Sequence, residues 1–247
     1  MFKYVTLAAA AALALAGCSK GGDAGGNAAP AAPVAAKAAP AGQQWSDVVA
    51  KTADGYVMGN LDAPIKLVEY GSRLCPTCGN LARQGYEPLT KNYVDTGKVS
   101  FEFREFMVHG PADFPPALLG LCVDKAAFFP VLEQMFHDQA QFDEGLQKMT
   151  PAQQQALQGA KPDQVFRMLA DAEGIIPYMK QRGLTQAKID QCMGDKATID
   201  RLAKVTQDKT QDGTVSGTPT RILNGRNVGT SVIAWDQLIQ ALKSAGA

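Results

Sequence analysis

The hydrophobic pattern changes its period along the chain, and each change predicts an element. Residues 65–70, Ile-Lys-Leu-Val-Glu-Tyr, are a mostly apolar, β-branched run of the kind that forms a central strand. From Pro76 the apolar positions Cys78, Leu81, Ala82 and Leu89 fall roughly on one helical face. Pro88 should kink or end that helix. Over 99–108, Val99, Phe101 and Phe103 alternate with Ser100, Glu102 and Arg104, which predicts a second strand. Strand, helix, strand is the opening of an α/β fold with a parallel pair.

The middle of the chain contains helical pieces and no convincing strand from 115 to about 212. Thr150-Pro151 and Lys161-Pro162 mark helix starts, Gly183 a helix end, and Thr185 a cap. The last part returns to sheet. Residues 220–223 form a short strand, Asn224-Gly225 is a hairpin turn, and Val228 begins the partner strand. A closing helix over 235–243 carries Trp235, Leu238, Ile239 and Leu242 on one face.

The N-terminus predicts export. Lys3 precedes an apolar stretch over 5–16 that is short for a membrane span and has the layout of a secretory signal. It runs into Leu15-Ala16-Gly17-Cys18, which resembles the lipobox of bacterial lipoproteins. By that resemblance residues 1–17 are removed and Cys18 carries lipid. An ordinary signal cut after Ala16 is the alternative, and it leaves the adjacent cysteine unexplained. Ser19 after the lipid cysteine implies sorting to the outer membrane in preference to the inner.

Residues 18–43 are rich in Ala, Gly and Pro and predict a tether with a reach of about 25–30 Å. Residues 44–247 are a sensible length for one domain with a substantial core. Formal net charge is zero and no basic stripe occurs, which argues against a nucleic-acid partner. No second membrane-length apolar segment and no internal repeat is evident.

The chemistry concentrates at Cys75-Pro76-Thr77-Cys78, directly after the first strand and at a helix start. Two sulfurs one turn apart can close a small disulfide, and a helix N-terminus favours thiolate on the first. Pro76 suits the first helical position. Cys75 is then the exposed nucleophile and Cys78 the less accessible resolving thiol. Of the five cysteines, Cys122 and Cys192 remain. In an oxidising compartment they can form a structural disulfide, or else persist as two buried thiols. A zinc site at Cys75 and Cys78 needs two more ligands, and neither a second Cys-x-x-Cys nor a histidine pair supplies them. No metal and no cofactor is expected. His109-Gly110-Pro111 reads as a turn, and His137 lies on a helix beside Asp138.

With these residues in view, the globular part resembles the DsbA-like branch of the thioredoxin superfamily. The resemblance rests on Gly59-Asn60-Leu61-Asp62-Ala63-Pro64 before the strand, Glu69, the Cys-x-x-Cys, the helical stretch, and Gly217-Thr218-Pro219-Thr220 before the hairpin. It implies a thioredoxin fold with a helical insertion (112–212) between a βαβ half (65–108) and a ββα half (214–247). It also implies a cis peptide at Thr218-Pro219 beside the cysteines, where Thr218, Pro219, Pro76 and Thr77 meet an extended substrate. Glu69 then corresponds to a buried acid that relays protons for Cys78; the alternative is an outward-facing strand residue. Arg73 either favours the Cys75 thiolate or is a solvated loop residue. Arg221 departs from the apolar residue expected there, and either tunes substrate preference or faces solvent.

The function implied is that of a lipid-anchored periplasmic thiol–disulfide oxidoreductase, a monomer, acting on unfolded or reduced exported proteins. A membrane redox partner would recycle it. The absence of room for a dimerisation domain points to an oxidase. A reductase or isomerase of the same fold, or a redox-inactive chaperone or envelope binding protein, are the rival readings.

Overall fold

The apolar and the alternating runs pair as parallel neighbours: β3 (Ile65–Gly71) lies beside β4 (Val99–Glu105), with Leu67 opposite Phe101 and Glu69 opposite Phe103. The computed structural model describes residues 31–228 and 234–247. The expected signal segment, Cys18 and the first part of the tether lie outside the described residues.

Two short strands not foreseen in the sequence, β1 (Val49–Lys51) and β2 (Gly55–Gly59), form a hairpin, and β2 pairs antiparallel with β4. On the other side β5 (Thr220–Leu223) pairs antiparallel with β3, and β6 (Arg226–Asn227) closes the edge. The six-stranded order is therefore β1-β2-β4-β3-β5-β6. Asn224 and Gly225 both have positive φ, as a tight hairpin turn with the right-handed twist of its strands requires. That turn starts the partner strand at Arg226, earlier than the expected Val228.

The first helix, α1 (Pro76–Leu89), joins β3 to β4. The α-helix ends at Leu89, one residue after Pro88, as expected of a proline there. Only one backbone donor is lost so near the C-terminus, and the chain widens into a π-turn over Thr90–Val94, where the Asp95 N–H reaches Thr90 O at 2.8 Å.

Between the two halves of the sheet runs a helical unit: α2 (Phe114–Leu121), α3 (Phe128–His137), α4 (Gln139–Gln147), α5 (Pro151–Gly159), α6 (Pro162–Glu173), α7 (Ile175–Gln181), α8 (Gln186–Met193) and α9 (Lys196–Gln211). The closing helix is α10 (Trp235–Ser244). The architecture is a thioredoxin fold carrying a helical insertion, as the sequence resemblance implied.

One core lies between the sheet and its helices, built from Leu67, Phe101, Phe103, Tyr86, Leu132, Phe136 and Leu238. A second fills the insertion, with Leu119, Met135, Phe142, Phe166, Met179 and Ile189. Because α3 sends Leu132 and Phe136 into the first and Val131 and Met135 into the second, it locks the insertion to the sheet. Cys122, capping α2, is disulfide-bonded to Cys192 on α8, with Cα atoms 6.1 Å apart.

The tether expectation needs correcting for residues 31–43. The Ala31, Val34 and Lys37 N–H groups donate to Ser244 O, Gly246 O and Thr96 O at 2.8–2.9 Å. Val34 and Ala39 pack on the sheet core, and Trp45 Nε1 donates to Lys37 O. A segment whose small Ala, Gly and Pro side chains cannot build a core of their own is held here by main-chain hydrogen bonds to a core that already exists.

Candidate active site

Cys75 is the N-cap of α1, in extended conformation, with Pro76 at the first helical position. Its sulfur accepts the Cys78 N–H at 3.4 Å. On its other side it approaches Thr218 O at 3.3 Å, and the Thr218–Pro219 peptide is cis. Pro76 and Thr77 are exposed, Thr218 is half-buried and Pro219 buried. Thus the fold brings these expected site residues into one constellation.

Both cysteines are free thiols, and both are covered. Cys78 has no exposed surface, because one turn into the helix it faces the sheet. Cys75 is only 5% exposed, so the expected open nucleophile is instead a thiol lidded by the Thr218 loop. The two environments push the sulfurs apart. Cys75 is lowered to about 6, chiefly by the hydrogen bond from the Cys78 side chain. Burial opposes this, and Thr218 and the N–H groups of Cys78 and Thr77 assist. Burial pushes Cys78 well above the ordinary thiol range, and the Cys75 hydrogen bond and the Glu69 charge add to it.

Glu69 lies beneath this pair, buried on the inner face of β3. Tyr86 Oη donates to its Oε1 at 3.0 Å. Arg221, directly opposite on β5, donates to Oε2 through Nε at 3.2 Å and Nη2 at 3.0 Å. Arg221 therefore does not face solvent; it is a buried countercharge. Tyr86 is raised well above the phenol range by burial and then by the Glu69 charge. Both partners had a signal. Tyr86 is two turns from Cys78 on the same helical face, and Arg221 shares the inward phase of β5 with Leu223.

Arg73 is neither solvated nor aimed at Cys75. Its Nε donates to Glu105 Oε1 at 2.8 Å, its Nη1 approaches Met135 Sδ at 3.0 Å, and its guanidinium covers the Phe128 ring. Gly120 makes room for it: a Cβ there would lie 2.2 Å from Arg73 Cζ. Gln139, not foreseen in the sequence, holds the active-site loop from the insertion, with Nε2 donating to the Arg73 and Cys75 carbonyls at 2.9 Å each. Among the described residues no group of three or more His, Cys, Asp or Glu is disposed to hold a metal ion.

A thioredoxin family profile matches residues 51–244, which takes in β2 to β6, the insertion and α10. The chain belongs to the thioredoxin family. Within it, disulfide bond formation protein D of Bacillus subtilis (strain 168) is 33% identical over 86 residues, 34% of this chain and 39% of that protein. The chain thus matches well under half the length of that curated relative. A protein-disulfide isomerase from Novosphingobium aromaticivorans superposes with TM-score 0.72 at 29% identity, covering 77% of this chain and 97% of that one. The alpha-DsbA1 protein of Wolbachia pipientis shares the fold with TM-score 0.56 at 20% identity, covering 79% and 97%. The resemblance to DsbA-like thioredoxin-family proteins read from the sequence is borne out.

Proposed function

We propose that this thioredoxin-family protein is a thiol–disulfide oxidoreductase that exchanges disulfides with cysteine-containing exported proteins, acting as an oxidase. The carrying observation is the asymmetry of the two thiols: Cys75 lowered to about 6 at a helix N-terminus, Cys78 sealed and raised. The names of the similar proteins, disulfide bond formation protein and protein-disulfide isomerase, support the same chemistry.

In the oxidising direction a client thiolate attacks Cys75 Sγ of the Cys75–Cys78 disulfide. The S–S bond breaks, and Cys78 leaves with the electron pair and takes up a proton. A second client thiolate then attacks the client sulfur of the mixed disulfide, and Cys75 departs as a stabilised thiolate. The client loses two electrons and the protein gains them. Glu69, bonded to Tyr86 and Arg221, handles the Cys78 proton in this reading. Pro76, Thr77 and Thr218-Pro219 frame the entry, and an incoming strand takes over the Thr218 O contact that Cys75 now makes. A membrane redox partner restores the disulfide.

The lipobox-like Leu15-Ala16-Gly17-Cys18 supports a lipid anchor at Cys18 in the bacterial envelope, the outer membrane by Ser19. Radiolabelled palmitate should label the wild type and not Cys18→Ala.

The enzymatic reading is tested by redox titration in glutathione buffers and by Cys78→Ala. A reversible couple and mixed disulfides trapped through Cys75 are expected. Cysteines that stay inert until unfolding would establish the redox-inactive binding protein instead, and a strongly reducing potential would establish a reductase.

A further inference from the structure

A polar cavity of about 590 Å³ opens on the flank of the insertion, where α2, α8, α9 and the end of β1 meet. That volume lies within the range of small-molecule sites, roughly 300–1,000 Å³. Lys51 of β1, Lys125 just after α2, Lys188 of α8 and Arg201 of α9 line it, against two carboxylates, Asp124 and Asp195. The cavity therefore carries an excess of two positive charges in a chain whose formal net charge is zero. Cys75, Cys78, Thr218 and Pro219 take no part in its lining, so the exchange reaction does not account for it.

The walls are pinned together. The Cys122–Cys192 disulfide ties α2 to α8 at the cavity, and Cys122 Sγ lies 3.7 Å from Lys188 O. Asp195 caps α9: its Oδ1 accepts the Thr198 N–H at 3.3 Å, and its Oδ2 accepts from Thr198 Oγ1 at 2.7 Å. The charges differ from those of a solvated helix face. Elsewhere on the insertion Lys148, Lys196 and Lys204 each pair with a carboxylate one turn away. Among the described residues none of the four cavity cations has a carboxylate within ion-pair distance. Arg201 is half-buried, and its Nη1 is shielded from solvent with no hydrogen-bond partner among the described residues. Glu105 and Tyr56 feel its charge, but Glu105 is bonded to Arg73.

We propose that this cavity is a binding site for a small soluble molecule bearing a phosphate group, anchored on Arg201 and surrounded by Lys51, Lys125 and Lys188. A guanidinium offers a fork of donors that matches two phosphate oxygens at once. The lysines come from β1, the turn after α2, and α8, and act as point charges. Cations on several walls suit a tetrahedral group with oxygens on several sides better than a carboxylate with one planar edge. A phosphate monoester carries about −1.5 to −2 charges at neutral pH, which matches the excess in the cavity. Its oxygen supplies the acceptor for Arg201 Nη1, whose burial without one is costly. The bound group bridges the sheet edge at β1 to α8 and α9, and so stabilises the folded chain.

The test is isothermal titration calorimetry of inorganic pyrophosphate into the full-length protein at low ionic strength, where charges are least screened. Saturable binding to a single site is expected, with a higher unfolding temperature in its presence. Arg201→Gln should weaken affinity about tenfold or more, the scale of a lost charge-assisted hydrogen bond. Lys125→Gln combined with Lys188→Gln changes only exposed positions, which spares the fold, and should weaken affinity about fivefold. Lys148→Gln, at a paired lysine outside the cavity, should bind as wild type does. The proposal is overturned if folded wild type takes up no pyrophosphate, or if a folded Arg201→Gln protein or the double variant binds as tightly as wild type. Loss of binding in Lys148→Gln equal to that of the double variant would mean diffuse attraction to surface charge, and overturns it too. Succinate binding as tightly as pyrophosphate overturns the assignment to phosphate.

Discussion

Glu173 should make the folded protein lose stability as pH rises through neutrality. It lies at the end of α6, 2% exposed, and neither carboxylate oxygen bonds a protein group among the described residues. Burial first, then the neighbouring charges of Asp113 and Asp143, push it up to about 9. The unfolded chain releases the same proton near 4.5. Between those values the folded state holds a proton that the unfolded state has lost, so rising pH favours unfolding. The stability is fully present below the unfolded value and is lost as pH climbs towards the folded one. Each pH unit inside the window removes up to about 1.4 kcal/mol, hence roughly 2–3 kcal/mol between pH 5.5 and 7.5.

Glu173→Gln keeps the shape of the neutral acid and cannot ionise. Urea denaturation followed by far-ultraviolet circular dichroism, at intervals from pH 5 to 8, should give nearly equal stabilities at pH 5. By pH 7.5 the variant should lead by about 2 kcal/mol or more. Taking the difference between the two proteins removes the other titrations near the site, which have opposite signs. His109 is raised and costs stability as pH rises, whereas Cys75 at about 6 gains it. Parallel stability curves for wild type and variant would refute a protonated Glu173 in the folded protein.

The two buried ion pairs supply the other tests. Arg221→Met strands the Glu69 carboxylate and should cost about 3–5 kcal/mol in urea unfolding. Glu69→Leu combined with Arg221→Met should recover most of that loss, and a single variant within 1 kcal/mol of wild type (roughly the scale of an exposed pair) would sink the assignment. Gly120→Ala drives a methyl into the Arg73 guanidinium and should destabilise by about 1–3 kcal/mol, read from the same assay; no change would mean that Arg73 has room to move.

What the sequence made legible depended on local signals. The β3 run, the α1 start, the alternation of β4 and the Asn-Gly turn are each written in a few adjacent residues, and so is the Cys-x-x-Cys. The hairpin of β1 and β2 was not, because β1 is three residues long and β2 is apolar on both faces, leaving no period to read. The buried arginines were misjudged for a different reason. An arginine announces a charge but not its partner, and the partners lie 32 residues away for Arg73 and 152 for Arg221. Gln139 and Asp113 are of the same kind. Each is an ordinary polar residue until the insertion folds back over the loop before Cys75.

The inequality of the two thiols follows from depth along one helical turn. Cys75, at the cap, meets the free N–H groups of α1, so its anion has a donor in the Cys78 N–H, while its thiol form donates to the Thr218 carbonyl. Cys78, three residues on, points at the sheet, where Glu69 would repel a second anion. A lone carboxylate there would be too costly to bury, and Arg221 is what makes its presence tolerable. The acid can then remain beneath Cys78 without unfolding the sheet, while its charge still disfavours a Cys78 thiolate. The reduced protein thus keeps one sulfur ionised and one protonated. Stabilising that state favours the reduced form over the disulfide, and this is the physical ground on which the oxidising direction is proposed.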